Sequence, residues 1–561
     1  MTQIKRLIVC CDGTWNDSVS TNNPLTNVAR FSRCIEERTQ DGILQIVYYH
    51  TGVGAGTSKI SNSIDGAVGR GLGANVRNAY NFICQNFNHK DCNDEIILVG
   101  FSRGAFTVRC VASLIDSVGI LTKRGLSRLY EVYGLWKKQG EDGAALKTLV
   151  DDLKRDGLLT TGVKIKACGV WDTVSAIGVQ LPAWLPQPPT KKLTHVDNRI
   201  PTCIENAFHA MALDERRSAF WPLPWSEPHH NITFRQCWFL GAHSDVGGGN
   251  EDAGLAKVAL IWMIAQFQHF TSVAFDEAYL LDILSGTGEV EIERKEHVVA
   301  WSGYESRTVQ ESRRSKSEAG NISNSLKWFW QPLGKRPRKP GRPFVINKVQ
   351  HSIGVTGAKD DLGITRSSVP PTVLSSGAII GSDEVDTTAM TTASTPKAHP
   401  LRETNDTIHP TVRILLAKHH HSCPVLEKYQ TTYGSEQADG HRSVHWHRSD
   451  NKRRSKDKTS AEDAGPDTSM QEAEVTPEEK KLFELWLSHP VVNSVTRSHV
   501  VTNAFGFPML GSALGGSTRL EQTEESIEGY GSNLCVVLGP HVDELVNPTL
   551  MYNSNETEEE S

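Results

Sequence analysis

The sequence predicts an α/β fold with a doubly wound, mostly parallel sheet that disordered insertions interrupt. Through the first 270 or so residues, short apolar runs alternate with helical stretches, and each run is followed by Gly or Asp. Apolar runs of this kind are typical of buried parallel strands. Their alternation with helices favours a sheet that is covered on both faces.

Five strands and three helices are predicted in chain order. The strands are residues 6–11, 43–50, 95–99, 164–170 and 234–240. The helices are residues 74–87, 105–117 and 253–267. The last helix is apolar almost all round, which predicts that it is buried.

Composition changes after residue 286 and predicts the division of the chain. Residues 1–310 form the α/β domain, and residues 401–433 return to the same fold. Residues 311–400 are a mostly disordered insertion, 434–480 a disordered charged segment, and 481–561 a C-terminal segment with an acidic tail. Polar sequence of this kind buries too little apolar surface to offset its chain entropy.

Charge and cysteine content exclude several classes of protein. The 561 residues include 59 Lys and Arg against 65 Asp and Glu, a net charge of −6 that does not favour nucleic-acid binding. No apolar run approaches the ~18 residues of a transmembrane helix, and no signal peptide is recognisable. The 11 cysteines are odd in number and form no Cys-x-x-Cys, which argues against disulfides and structural zinc. We therefore expect an intracellular, cytoplasmic protein.

A strand-to-helix turn carries the sharpest chemical signal. The segment Gly100-Phe101-Ser102-Arg103-Gly104 fits Gly-x-Ser-x-Gly, the nucleophile elbow of α/β-hydrolases. Both glycines are needed there because a side chain would collide with a neighbouring strand or helix. The pattern predicts that Ser102 is a nucleophile exposed at the carboxyl end of its strand.

A serine nucleophile needs a base, and the base needs an acid that orients it. Asp172 follows the fourth predicted strand. His243 follows the fifth and precedes Gly247-Gly248-Gly249, a sequence that allows close backbone approach. The chain order Ser102, Asp172, His243 is the order expected of this fold.

A second triad is also compatible with the spacing. In α/β-hydrolases the acid usually follows the strand two after the nucleophile, and the histidine follows the last strand. Counting strands that way selects Asp245 and His409. Asp172 and His243 are preferred because both end buried strands, and Asp245 is then expected to hold the Gly-rich loop.

The turn after the first strand is expected at the same edge of the sheet. Backbone N–H groups of Gly13 and Thr14 are candidates for one oxyanion donor, and the N–H of Arg103 for the other. Asp12 either holds this loop or a neighbouring arginine, or forms a simple Asx turn.

Five motifs occur in a fixed order and carry a family resemblance. They are Cys11-Asp12-Gly13-Thr14-Trp15-Asn16, Gly100-Phe101-Ser102-Arg103-Gly104-Ala105, Gly169-Val170-Trp171-Asp172-Thr173-Val174, Ala212-Leu213-Asp214-Glu215-Arg216-Arg217 and residues 241–249. Together they resemble the α/β-hydrolase-domain family related to the bacterial type VI secretion phospholipase effectors. The resemblance covers about residues 4–270. It implies a lipase or esterase with Ser102 as nucleophile, Asp172 as acid and His243 as base.

The predicted function is hydrolysis of carboxylic esters, of a small molecule or of a lipid, with neither metal nor organic cofactor. The alternative is a non-catalytic scaffold that keeps the fold and binds protein partners through its disordered segments. Peripheral membrane contact stays open. Aromatic and proline residues in 184–189 and 220–225 form either an acyl-binding wall or a loop packed on the core.

Other motifs favour ordinary readings. Residues 52–56 and 69–73 lack the spacing of a dinucleotide loop. The histidines at 419–421, 441, 445 and 447 favour a solvated tract over a metal site. The basic runs 335–342 and 452–454 favour solvated loop charge over nuclear-localisation signals.

Overall fold

The computed structural model divides the chain into two units. One comprises Met1–Arg342 and Thr404–Ser561, and the other, Pro343–Glu403, lies outside the described residues. The structure describes residues 4–13, 24–52, 64–91, 93–139, 143–174, 196, 198–226, 232–285, 323, 337–340, 406–419, 423–434, 443–448 and 470–488.

A seven-stranded sheet organises the first unit. In chain order its strands are β1 (Lys5–Cys11), β2 (Leu44–His50), β3 (Glu95–Phe101), β6 (Ala167–Trp171), β7 (Asn206–Ala212), β8 (Thr233–Phe239) and β9 (Thr407–Ile408). The spatial order is β2-β1-β3-β6-β7-β8-β9, and each neighbouring pair is parallel. The carboxyl ends of these strands therefore share one edge, where loops can bring side chains together.

Two smaller sheets, ten α-helices and two short 3₁₀ helices (Gly125–Arg128 and Ser218–Phe220) complete the described elements. The strands are β4 (Ile120–Leu121), β5 (Leu159–Thr160), β10 (Tyr429–Tyr433), β11 (Val444–Arg448) and β12 (Met470–Gln471). The helices are α1 (Asn27–Arg33), α2 (Ile64–Asn86), α3 (Ser102–Val118), α4 (Leu129–Lys137), α5 (Gly143–Arg155), α6 (His243–Gly247), α7 (Gly254–Thr271), α8 (Glu277–Ser285), α9 (Pro410–His419) and α10 (Pro477–Ser488).

Two hydrophobic clusters cover the opposite faces of the large sheet. One includes apolar residues of α1, α7, α8 and α10, and the other those of α2, α3, α4 and α5. Helix α7 is buried along most of its length, as its apolar sequence predicts. Each face of the parallel sheet is thus covered, and the predicted doubly wound α/β fold class is confirmed.

Strand β7 is missing from the sequence prediction. Its sequence, NAFHAMA, contains no β-branched residue and includes Asn206 and His209, so β-propensity does not reveal it. It is buried at every position between β6 and β8. The strand that ends before His243 is consequently the sixth of the large sheet along the chain, not the fifth.

Ordered elements occur within residues 434–480, which the sequence assigns to a disordered segment. Strands β11 and β12 and the start of α10 lie there. Val444 and Trp446 alternate on the buried face of β11, and this small apolar stripe is enough to pair with β10 and β12. Helix α10 buries Phe483 and Trp486 in the cluster that contains α7.

No helix in the described part of the chain is long and apolar enough to cross a membrane.

Candidate active site

Ser102 lies at the sharp turn between β3 and α3. Its φ of 58° is in the left-handed region, which costs energy for a residue with a side chain. The serine is 4% exposed, so the side chain that the sequence places at the surface is buried. The turn lifts the hydroxyl off the strand and places it at the beginning of the helix.

The two glycines of the turn are required by close backbone contacts. A Cβ on Gly100 would lie 2.7 Å from the backbone of Ala105. One on Gly104 would overlap the carbonyl oxygen of Cys11, at the end of β1. Helix α3 therefore packs directly against the turn that follows β1, and a larger residue at either glycine would displace Ser102.

His243 and Asp172 meet Ser102 at the carboxyl edge of the sheet. The Nε2 atom of His243 lies 2.8 Å from the Ser102 hydroxyl, and its Nδ1 atom lies 2.6 Å from Oδ2 of Asp172. Asp172 follows β6 and His243 begins α6 after β8. A carboxylate only accepts hydrogen bonds, so Nδ1 carries the proton and Nε2 accepts from the serine.

Burial and charge set the protonation of this pair. Burial would raise the pKa of Asp172, but Arg338 and His243 outweigh it and hold that pKa well below its usual range. Burial lowers the pKa of His243 against the opposing influence of Asp172. At neutral pH the acid is therefore charged and the imidazole is neutral, as a base must be.

Aromatic rings enclose the imidazole on two sides. The ring centroid of Phe101 lies 4.6 Å from that of His243, and the ring of Phe220 meets it edge-on at 4.9 Å. Phe220 belongs to the aromatic segment 220–225, which the sequence analysis interprets either as an acyl-binding wall or as a loop packed on the core. Trp225, from the same segment, is buried against Arg109 and His209. Thus one end of the segment borders the site and the other packs in the core, while residues 184–189 lie outside the described residues.

Arg338 contacts the acid, and the sequence analysis missed it. Its two terminal nitrogens donate to the two oxygens of Asp172, at 3.1 and 2.9 Å. The arginine is 3% exposed. Its basic run was predicted to be solvated loop charge within the disordered insertion 311–400, and for this residue that prediction is wrong. The pair is 166 positions apart in sequence, so no local pattern reveals it.

Asp12 holds the turn after β1. Its Oδ1 accepts from the N–H of Gly13 at 2.6 Å, and its Oδ2 accepts from the hydroxyls of Thr26 and Tyr49, each at 2.6 Å. The Gly13 N–H is thus already donated, although the sequence made it a candidate oxyanion donor. Thr14, the other candidate in that turn, lies outside the described residues.

The guanidinium of Arg103 has no polar partner among the residues that the structure describes, although its backbone carbonyl accepts from the hydroxyl of Thr107 at 3.0 Å. Its backbone N–H belongs to the first turn of α3, where no intrahelical acceptor exists. Its guanidinium makes no hydrogen bond or ion pair with any residue that the structure describes. Burial lowers the pKa of Arg103 to about 10, which still leaves the group charged at neutral pH.

The second triad is not assembled. Asp245 accepts from the N–H of Ala242 at 2.9 Å and from the amide of Asn250 at 2.8 Å, so it holds the Gly-rich loop. Burial raises its pKa in spite of these hydrogen bonds. The ring nitrogens of His409 are 2.7 Å from Thr411 and 2.7 Å from Glu479. None of these hydrogen bonds of Asp245 and His409 involves Ser102.

Metal ligands do not cluster in the described part of the chain: no group of three or more His, Cys, Asp or Glu residues could hold an ion there. His445 and His447 lie on β11 with their rings stacked at 6.1 Å. His420, His421 and His441 lie outside the described residues, as does the basic run 452–454.

Known proteins resemble the region that carries this site. Residues 5–266 match the model of the family described as the type VI secretion phospholipase effector Tle1-like catalytic domain. The family resemblance is confirmed over these residues. An uncharacterized protein of Saccharomyces cerevisiae, YEL023C, is 28% identical over 254 residues. That match covers 41% of this chain and 35% of the yeast protein, so it spans about a third of that relative's length.

Two solved structures also align with the chain. An uncharacterized protein from Pseudomonas aeruginosa is 16% identical, with a TM-score of 0.30, over 60% of this chain and 56% of that one. The Tle1 effector bound to the VgrG spike is 13% identical, with a TM-score of 0.24, over 63% and 83%. Both scores are too low to bear on function.

Proposed function

We propose that this chain is a serine hydrolase that cleaves carboxylic esters of lipids. One observation carries the proposal: the strained Ser102 lies 2.8 Å from Nε2 of His243, whose Nδ1 lies 2.6 Å from Asp172. A nucleophile, a base and an orienting acid in hydrogen-bonded sequence are what acyl transfer through a serine requires.

Each residue has one role in the proposed mechanism. Ser102 Oγ attacks the ester carbonyl while His243 Nε2 takes the hydroxyl proton, and the same nitrogen returns it to the leaving alcohol. Asp172 keeps the proton on Nδ1 and stabilises the imidazolium. The N–H of Arg103 lies at the helix start, where it has no intrahelical acceptor and is suited to the developing oxyanion. Water then attacks the acyl-enzyme by the same proton path.

Burial and charge around the serine favour a lipid ester. Phe101 and Phe220 enclose the base in apolar surface, which suits an acyl chain that excludes water. The guanidinium of Arg103, one residue after the nucleophile, has no ion-pair partner in the described part of the chain and suits an anionic group on the substrate, such as the phosphate of a phospholipid. The family match points to the same substrate class.

Labelling with a fluorophosphonate probe tests the nucleophile. The full chain is treated with the probe, and the modified peptide is mapped. We expect one modified residue, Ser102, and no labelling of Ser102→Ala. Ser113→Ala, on the same helix, is the matched control and is expected to label normally. An unlabelled wild-type chain would favour the non-catalytic scaffold instead.

Substrate charge tests the lipid assignment separately. Loss of a charge-assisted hydrogen bond in Arg103→Gln should lower kcat/KM for a phospholipid by about 10-fold or more. Hydrolysis of an uncharged acylglycerol should change much less. Equal losses on both substrates would contradict the anion-binding role of Arg103. The role of Ser102 as nucleophile would be unaffected by that result.

A further inference from the structure

Four residues at the site, Asp172, Arg338, Phe220 and His243, form a closed series of contacts. Arg338 binds both oxygens of Asp172 and also donates to the backbone carbonyl of Phe220 at 2.8 Å. The side chain of Phe220 contacts the ring of His243, which returns to Asp172 through Nδ1. One buried guanidinium thus links the acid to the aromatic wall beside the base.

A second arginine, Arg217, packs against the ring of Phe220. The guanidinium of Arg217 lies over the ring of Phe220 at 3.6 Å and forms an ion pair with Glu215 at 2.7 Å. Glu215 in turn lies 3.4 Å from the backbone N–H of His243. In the described part of the chain, Asp172, Glu215 and Arg217 are charged groups that act on His243, and Arg338 lies beyond them on the carboxylate of Asp172.

The planar fork of Arg338 constrains Asp172 in a way that a point charge cannot. Two parallel N–H donors fix the plane of a carboxylate as well as its position. The same carboxylate also accepts from the N–H of Ala212 at 3.0 Å. With both oxygens held, Oδ2 stays directed at Nδ1 of His243. An isolated charge at this depth would otherwise be costly, so the pair also keeps Asp172 ionised.

The chain near Arg338 is anchored beyond this one contact. The carbonyl of Pro340 accepts from the hydroxyl of Tyr429 at 3.1 Å. Earlier in the same stretch of sequence, the N–H and hydroxyl of Ser323 both donate to Asp245, at 2.8 and 3.0 Å. Ser323 and Arg338 therefore each reach a carboxylate at the site's edge of the sheet.

We propose that Arg338 is a positioning residue of the active site. It keeps the carboxylate of Asp172 ionised and directed at His243. The hydrolase site is thus completed by a residue that lies outside the matched region 5–266. This inference rests on the proposed function. It predicts that the catalytic geometry depends on sequence after residue 310, although the serine, acid and base all precede it.

Three variants of the full-length chain separate position from charge. Arg338→Gln removes both, Arg338→Lys keeps the charge but loses the fork, and Lys339→Gln removes the charge of the exposed neighbour as a matched control. The rate of fluorophosphonate labelling and the pH profile of kcat/KM are measured for each. A positioning error of about 1 Å costs on the order of 10²-fold in rate, so we expect losses approaching that size for Arg338→Gln.

The pH profile is the readout that a merely structural role would not move. Loss of a positive charge near His243 should raise its pKa, so the acid limb of Arg338→Gln shifts to higher pH. Arg338→Lys should label several-fold more slowly than wild type, with its acid limb unmoved. Lys339→Gln should match wild type in both measurements.

The outcomes distinguish this inference from the proposed function. A wild-type chain that does not label would overturn the proposed function. A wild-type chain that labels normally, together with Arg338→Gln at the wild-type rate and with an unmoved limb, would overturn the role of Arg338 alone. If Arg338→Gln fails to fold, Arg338→Lys decides, since wild-type labelling in that variant would contradict the need for the fork.

Discussion

Two buried histidines at neighbouring strand ends look alike in composition and differ in arrangement. His243 follows β8 and lies between the hydroxyl of Ser102 and the carboxylate of Asp172. His409 follows β9 and lies between the hydroxyl of Thr411 and the carboxylate of Glu479. Each ring also packs on a phenylalanine, with centroids 4.6 Å and 4.7 Å apart.

The hydroxyls distinguish the two clusters. Ser102 reaches its histidine across 141 positions of sequence from a left-handed turn. Thr411 is two residues from His409, and its own N–H also points to Nδ1, at 3.3 Å. An N–H can only donate, so Nδ1 of His409 is an acceptor and Nε2 carries the proton toward Glu479. The tautomer is the reverse of that in His243, and a His–carboxylate pair with a hydroxyl is therefore not sufficient for a nucleophile.

The largest difference is expected from removing each hydroxyl. Ser102→Ala should lower turnover of short acyl esters by at least ~10⁴-fold, because the covalent intermediate is lost. Thr411→Ala should keep turnover close to wild type, since its hydroxyl is hydrogen-bonded to His409, which is not part of the proposed triad. Turnover and the thermal midpoint of unfolding are measured for both variants. The midpoint of Ser102→Ala should stay within a few degrees of wild type. Wild-type activity in Ser102→Ala would contradict the assignment of Ser102, and not Thr411, as the nucleophile.

The next largest difference concerns the two carboxylates. Asp172→Asn should cost about 10³–10⁴ in kcat, because an amide can donate to the histidine and reverse its tautomer. Glu479→Gln should leave kcat within a few-fold and lower the free energy of unfolding by about 1 kcal/mol. Steady-state kinetics and denaturant unfolding of the pair decide it. The comparison breaks if Glu479→Gln is the variant that loses turnover.

A smaller effect is expected from pH. Burial lowers the pKa of His243 below its ordinary 6.5, and only the neutral imidazole can accept the serine proton. The kcat/KM of a short ester should therefore be constant from neutral pH upward and fall on acidification, with its midpoint below about 6.5. A midpoint well above neutrality would show that a group other than His243 causes the fall in kcat/KM on acidification.

Chelation should have the smallest effect. Every proposed role is filled by a side chain or a backbone N–H, so activity should persist after dialysis against EDTA. Loss of activity that a divalent ion restores would point to metal-assisted hydrolysis, with Asp12, Asp172 and Asp245 as the acids at this edge of the sheet.

Local sequence predicted the parts of the site whose geometry is local. The elbow around Ser102 and the strand ends before Asp172 and His243 are each encoded within about ten residues, because turn chemistry and strand pattern act at that range. Strand β7 was missed because burial on both faces, not β-propensity, makes it a strand.

The contacts that brace the site lie beyond the reach of local pattern. Arg338 meets Asp172 across 166 positions, and Ser323 meets Asp245 across 78. A basic, Pro-rich stretch is normally solvated, and only the folded sheet edge supplies the buried carboxylate that pairs with Arg338. The choice between His243 and His409 likewise needed the hydrogen bonds, since chain order allowed both.

The most direct measurement compares His243→Ala with His409→Ala in kcat for a short acyl ester. The account predicts a loss of at least ~10³-fold for His243→Ala, as expected for loss of a general base, and a far smaller change for His409→Ala. His409→Ala should instead lower stability, because it leaves the buried carboxylate of Glu479 without its donor. A large loss in His409→Ala with near-normal turnover in His243→Ala would contradict the account.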